Sequence, residues 1–113
     1  METAGRHLIA DLWGCNPPQR EEAIRELLLK IVEKIGATLL SIKIEKFSPM
    51  GITGVAIIAE SHISIHTWPE HRYVAVDIFT CGSLDPLPAL AVLRRELSPE
   101  HMNVTEIKRG IFF

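Results

Sequence analysis

Three β-rich runs crowd together in the middle of this chain, and their spacing constrains the fold more than any other feature. Residues 52–59, 62–68 and 73–80 are separated by two residues and by four. Gaps that short cannot hold the crossover of a dozen or more residues that parallel pairing needs, so consecutive runs must turn back on one another as antiparallel hairpins. Apolar residues fall at both parities, with Val55 and Ile57 against Ala56 and Ile58, and Val74 and Val76 against Ala75 and Phe79. Both faces of the resulting sheet are therefore at least partly buried.

The flanking segments supply the cover for one face. Residues 6–13 form an apolar run ending at Gly14, consistent with a first strand. Asn16 is expected to cap a helix with Pro17 at its first position and Glu21 and Glu22 near the positive end of the dipole. Ile24, Leu27, Leu28, Ile31, Val32 and Ile35 make a stripe at helical spacing, and Gly36 stops it. Residues 37–47 alternate, with Leu40, Ile42 and Ile44 on one side and Ser41, Lys43 and Glu45 on the other. A second helix is expected over residues 86–97, opened by Asp85 and Pro86, and a last strand over residues 104–113. The order βαββββαβ predicts an α+β two-layer sandwich, a mostly antiparallel sheet with two helices on one face. The other face needs a partner, and the simplest is a second copy, giving an α-β-β-α dimer.

Composition narrows the function classes. At 113 residues the chain makes one domain, 1–113. Its 12 Lys and Arg against 14 Asp and Glu form no basic stripe, which argues against nucleic acid as a partner. Apolar runs such as residues 55–59 are too short to cross a bilayer, and residues 1–6 do not read as a signal peptide, so a cytoplasmic protein without membrane contact is expected. In that setting Cys15 and Cys81 are expected to stay reduced.

Hairpin arithmetic locates the chemically capable residues. If the turn falls at residues 69–72, facing positions sum to about 141, which sets Ser61 opposite Thr80 and Cys81. His66 lies five residues further along the same strand, roughly 17 Å from Ser61 at ~3.3 Å per residue, with Thr53 across the first hairpin from it. His62 and His66 are some 13 Å apart by the same rise, so they are poor co-ligands, and no metal site is expected. Cys15 reads as a small buried hydrophobe, and His7, His71 and His101 carry no chemical pattern.

Residues 60–82, ESHISIHTWPEHRYVAVDIFTCG, together with HLIADLWGC at 7–15, ITGVAIIAESH at 52–62 and the TCG before the second helix, resemble the short bacterial and archaeal form of S-adenosylmethionine decarboxylase. The resemblance spans nearly the whole chain. It implies that the Glu60-Ser61 bond breaks itself, giving a β chain of residues 1–60 and an α chain of residues 61–113. Ser61 then becomes a covalent pyruvoyl cofactor that forms a Schiff base with the substrate. The implied roles are processing base for His66, general acid for Cys81, and support of processing for Thr53, where close relatives are expected to carry serine. Phe47 and Trp68 suit stacking on adenine, and Glu70 the ribose hydroxyls or the sulfonium charge. The implied activity decarboxylates S-adenosylmethionine to the aminopropyl donor of spermidine biosynthesis. Because one protomer separates Ser61 from His66, two composite sites are expected in the homodimer, each taking Ser61 and Cys81 from one chain and His66 and Thr53 from the other. A pyruvoyl-dependent arginine decarboxylase on the same fold, and a non-enzymatic α/β binding module whose Ser61 never reacts, are the other functions weighed.

Overall fold

In the computed structural model, which describes residues 2–112, the chain runs β1 (Glu2–Trp13), α1 (Glu21–Ile35), β2 (Thr38–Lys46), β3 (Ile52–Ala59), β4 (Ser61–Trp68), a 3₁₀ turn (Pro69–His71), β5 (Tyr73–Cys81), α2 (Ala89–Leu97) and β6 (His101–Phe112). All six strands join one antiparallel sheet in the order β2-β3-β4-β5-β1-β6. The α+β two-layer sandwich forms as expected, with both helices on one face. The expected register also holds: Ser61 pairs with Thr80, and Thr53 pairs with His66.

Every residue of the α1 stripe from Ile24 to Ile35 is buried, and it packs with Leu8, Ile52, Ile58, Ile63, Ile65 and Ile78 from the sheet. Each such side chain contributes on the order of 1.5–3 kcal/mol through burial. Gly54 lets α1 lie close to β3. A β-carbon there would stand 2.9 Å from Ile24 Cγ2 and 3.2 Å from Leu28 Cδ1. Gly36 closes α1 in the left-handed region at φ 74°, its N–H donating to the Glu33 and Val32 carbonyls.

Several boundaries differ from expectation. Helix α1 starts at Glu21 with Arg20 at the cap position and no side-chain cap, so Asn16 does not serve. The cause is the Pro17-Pro18 pair, since each proline pushes the residue before it out of the helical region. Ahead of α2, Asp85 Oδ1 accepts the Leu87 N–H at 3.0 Å and the Ala89 N–H donates to the Pro86 carbonyl at 3.1 Å, so residues 86–88 form a turn and α2 begins only at Ala89. On β2 the pairing skips from Leu39 opposite Ile58 to Ser41 opposite Ile57, so Leu40 sits on a bulge and is 63% exposed rather than core-facing. Strands β1 and β6 each begin earlier than expected, and Phe113, the expected end of the last strand, lies outside the described residues.

Among the described residues no helix covers the second sheet face. Ile9, Trp13, Ile57 and Trp68 stand on it with 36 to 48% of their surface exposed. Among the described residues no helix is long and apolar enough to cross a membrane.

Candidate active site

The sheet carries its chemically capable residues at two opposite ends. At one end, only Glu60 separates β3 from β4, and Ser61 opens β4 with φ 127°. That backbone region is sparsely populated by residues with a side chain, and holding one there costs on the order of 1–3 kcal/mol. Ser61 faces Thr80, whose hydroxyl is buried and donates to the Leu84 carbonyl at 2.9 Å. Cys81 follows Thr80 as a half-buried free thiol. It lines a cavity of about 570 Å³ together with Glu60, Ala59, Ser83 and Asp85.

The opposite end of the β3–β4 hairpin gathers a different set. Phe47, Thr53, His66, Trp68 and Glu70 all line one cavity of about 250 Å³. The loop between β2 and β3 supplies Phe47, and the 3₁₀ turn after β4 supplies Glu70. Thr53 Oγ1 and His66 Nδ1 are hydrogen-bonded at 3.0 Å. Trp68 lies between the His66 ring, 6.2 Å from centroid to centroid, and the Tyr73 ring at 5.2 Å, and Tyr73 stacks on Trp13 at 5.8 Å. The Tyr73 hydroxyl donates to Asp11, and burial, reinforced by that carboxylate, pushes its pKa up to about 12. One chain thus sets Ser61 and Cys81 at the same end of neighbouring strands, brings His66, Thr53 and the three candidate binding residues together around one cavity, and holds the two groups a strand length apart.

Sequence reasoning missed a third cluster. On the open face, Asp77 of β5 accepts from His7 Nε2 at 2.7 Å, from His62 Nε2 at 3.0 Å and from the buried Ser64 hydroxyl. It thereby ties β1, β4 and β5. Burial alone would raise the Asp77 pKa, but the bonds from Ser64, His7 and His62 hold it below the ordinary carboxylate value. His7, His62 and Asp77 also offer three donor atoms within 4.8 Å, as a metal site would. Their surroundings favour a hydrogen-bonded hub instead. Arg109 Nη1 approaches His7 Nδ1 at 3.4 Å, so that nitrogen faces a donor, whereas a metal-bound imidazole donates its second N–H to an acceptor. Phe79 stacks on His7 at 5.1 Å and carries Arg109 over its ring at 4.9 Å, closing the cluster on that side.

Cys15, whose thiol is pushed up by burial, bonds through its backbone to Arg72 just before β5, while Cys81 ends that strand. A strand length of roughly 30 Å at ~3.3 Å per residue keeps the two sulfurs far beyond bridging distance. A pyruvoyl group at residue 61 would fit the local geometry: its formation would remove the backbone nitrogen of that residue, and with it the torsion held at 127°, while β4 would keep neighbours on both sides.

Fold and site together define a small two-layer α+β domain with a serine at a tight, strained hairpin turn, a thiol on the neighbouring strand and a histidine at the far end of the sheet. The family model for S-adenosylmethionine decarboxylase matches residues 6–110, and the chain belongs to that family. It is 47% identical to the S-adenosylmethionine decarboxylase proenzyme of Methanococcus maripaludis, over 98% of this chain and 93% of that protein. It is 44% identical to the proenzyme of the same name from Caldicellulosiruptor saccharolyticus, over 99% and 93%. Among solved structures, the adenosylmethionine decarboxylase of Aquifex aeolicus superimposes with a TM-score of 0.92 at 40% identity, covering 100% of this chain and 96% of that one.

Proposed function

We propose that this chain is a proenzyme that cuts itself between Glu60 and Ser61 and then decarboxylates S-adenosylmethionine as a homodimer. The observation that carries this reading is the division of the candidate residues between the two ends of β4, which a two-fold axis across the open face would bring together in pairs. The exposed Ile9, Trp13, Ile57 and Trp68 supply apolar area for that contact. The free thiols Cys15 and Cys81 suit a reducing cytoplasm.

In this reading the Ser61 hydroxyl attacks the Glu60 carbonyl, the amide becomes an ester, and the Ser61 amine is freed. His66 of a second copy removes the Cα proton of Ser61, and the Glu60 carboxylate leaves. That elimination separates residues 1–60 from residues 61–113, and tautomerisation and hydrolysis then release ammonia and leave a pyruvoyl group at the N-terminus of the second chain. That group supplies an electrophilic keto carbon for the substrate amine and an adjacent carbonyl that takes up electrons as carbon dioxide leaves. Cys81, on the strand facing residue 61, holds the proton that the substrate carbon receives. Phe47 and Trp68 of the second copy offer flat faces to the adenine, and Glu70 a carboxylate to the ribose or the sulfonium.

Intact mass under denaturing conditions tests the reading. Two chains matching residues 1–60 and 61–113 are expected from the parent, and one chain from Ser61→Ala. A single uncut parent chain would leave a binding module. Release of carbon dioxide from S-adenosylmethionine but not from arginine is expected, and the reverse preference would reassign the substrate.

A further inference from the structure

Self-cleavage, on the reading above, severs the peptide at the start of β4, and the reactive terminus at residue 61 must then stay in register with Cys81 without a turn to hold it. Strand ends that lose their covalent connection fray. Here β4 has a second attachment. Asp77, on the same strand and the same face parity as Cys81, accepts bonds from two alternate residues of β4, His62 and Ser64, the nearer being the residue next to the cut. A third bond, from His7, fixes the carboxylate from the other side of β5. We propose that Asp77 is a positioning residue, a clamp that keeps the severed start of β4 against the strand bearing Cys81 after the chain has been cut. Before the cut the β3–β4 turn also holds the start of β4 in place, so the local order of residues 62–64 depends on the clamp in the processed protein and not in its precursor.

The contrast between cut and uncut protein is therefore the test. Amide hydrogen exchange at residues 62–64 is followed in four proteins: the processed parent, processed Asp77→Asn, and both sequences in a Ser61→Ala background that stays uncut. The expected result is that Asp77→Asn speeds local exchange about tenfold in the processed protein, the size that loss of charge-assisted bonds implies, and less than about twofold in the uncut chain. In turnover assays kcat falls about tenfold while KM stays within about twofold, because Asp77 stands outside the cavities at either end. Unchanged protection after the cut, or an equal loss in cut and uncut chains, overturns the proposal. An Asp77→Asn chain that is folded and dimeric but uncleaved overturns it too, since the carboxylate would then act before the cut. Should Asp77→Asn fail to fold, His62→Ala removes one of the two β4 bonds and is read by the same four-way comparison. A parent that stays a single chain has no severed end, and intact mass exposes that failure of the self-cleavage reading before Asp77 is examined.

Discussion

Thr53 Oγ1 stands 3.0 Å from His66 Nδ1, directly across the β3–β4 ladder. The tautomer that a base requires is the one in which Nδ1–H donates to the hydroxyl, leaving the Nε2 lone pair free. Thr53→Val keeps the shape and removes the acceptor. Self-cleavage should slow about tenfold, in line with the loss of one orienting hydrogen bond, and Thr53→Ser should restore the parental rate. Denaturing gels of freshly synthesised chains give the time course. Equal rates for Thr53→Val and the parent would mean that packing alone orients the ring.

Mixed dimers test the composite site. Neither Ser61→Ala nor His66→Ala alone should process well, but co-expression should yield one complete site in each mixed dimer, pairing Ser61 of one chain with His66 of the other. Cut product in the mixture and in neither parent is the expected result. If subunit exchange is demonstrated and no cut product forms, His66 serves the serine of its own chain.

Cys81→Ala should be processed and should bind substrate, while kcat falls on the order of 10²-fold, the low end for loss of a positioned acid. Intact mass of the 61–113 chain after turnover should reveal a growing fraction with an alanyl end, from protonation at the wrong carbon. Parental turnover would remove Cys81 from the acid role.

The pH dependence of the Asp77 hub has a definite sign. Its folded pKa lies below the ordinary value near 3.9, so the stability it lends is present above about that pH and is lost as pH falls through the folded value. Thermal melts of Ser61→Ala, with and without Asp77→Asn, should differ most above about pH 5 and converge in stronger acid. A gap that widens on acidification would contradict the hydrogen-bonded assignment of the carboxylate.

Gly54→Ala should destabilise the fold by about 1–3 kcal/mol, because α1 must lift or Ile24 and Leu28 must leave their rotamers. Denaturant midpoints measure it. A neutral outcome would mean that the helix–sheet contact is looser than the 2.9 Å approach requires.

Much of the site was legible before the structure because short loops fix register. The two-residue gap between the runs 52–59 and 62–68 and a tight turn before residue 73 suffice to pair Ser61 with Thr80 and Thr53 with His66. The same sum sets Ser64 opposite Asp77, with His62 on the diagonal, so part of the Asp77 hub could have been found by asking what faces each polar residue. His7 could not, because β1 inserts between β5 and β6, a long-range choice that no local spacing encodes. Leu40 was misread because a bulge shifts parity without a sequence signal, and the start of α1 was misread because the Pro17-Pro18 pair overrides a good capping residue.

The strand order has a consequence for the life history of the molecule. Cutting after Glu60 would leave β1, β2 and β3 on one fragment and β4, β5 and β6 on the other, yet three of the five ladders, β3–β4, β5–β1 and β1–β6, join the two. The fragments would be woven rather than docked, so neither could depart without tearing the sheet. Once melted, however, each would have to find its mate by diffusion, and renaturation would become concentration-dependent where the uncut Ser61→Ala protomer simply refolds. Cleavage would act as a ratchet, with the protein assembled once, from a single precursor, and thereafter persisting on the slowness of its unfolding rather than on its capacity to fold again.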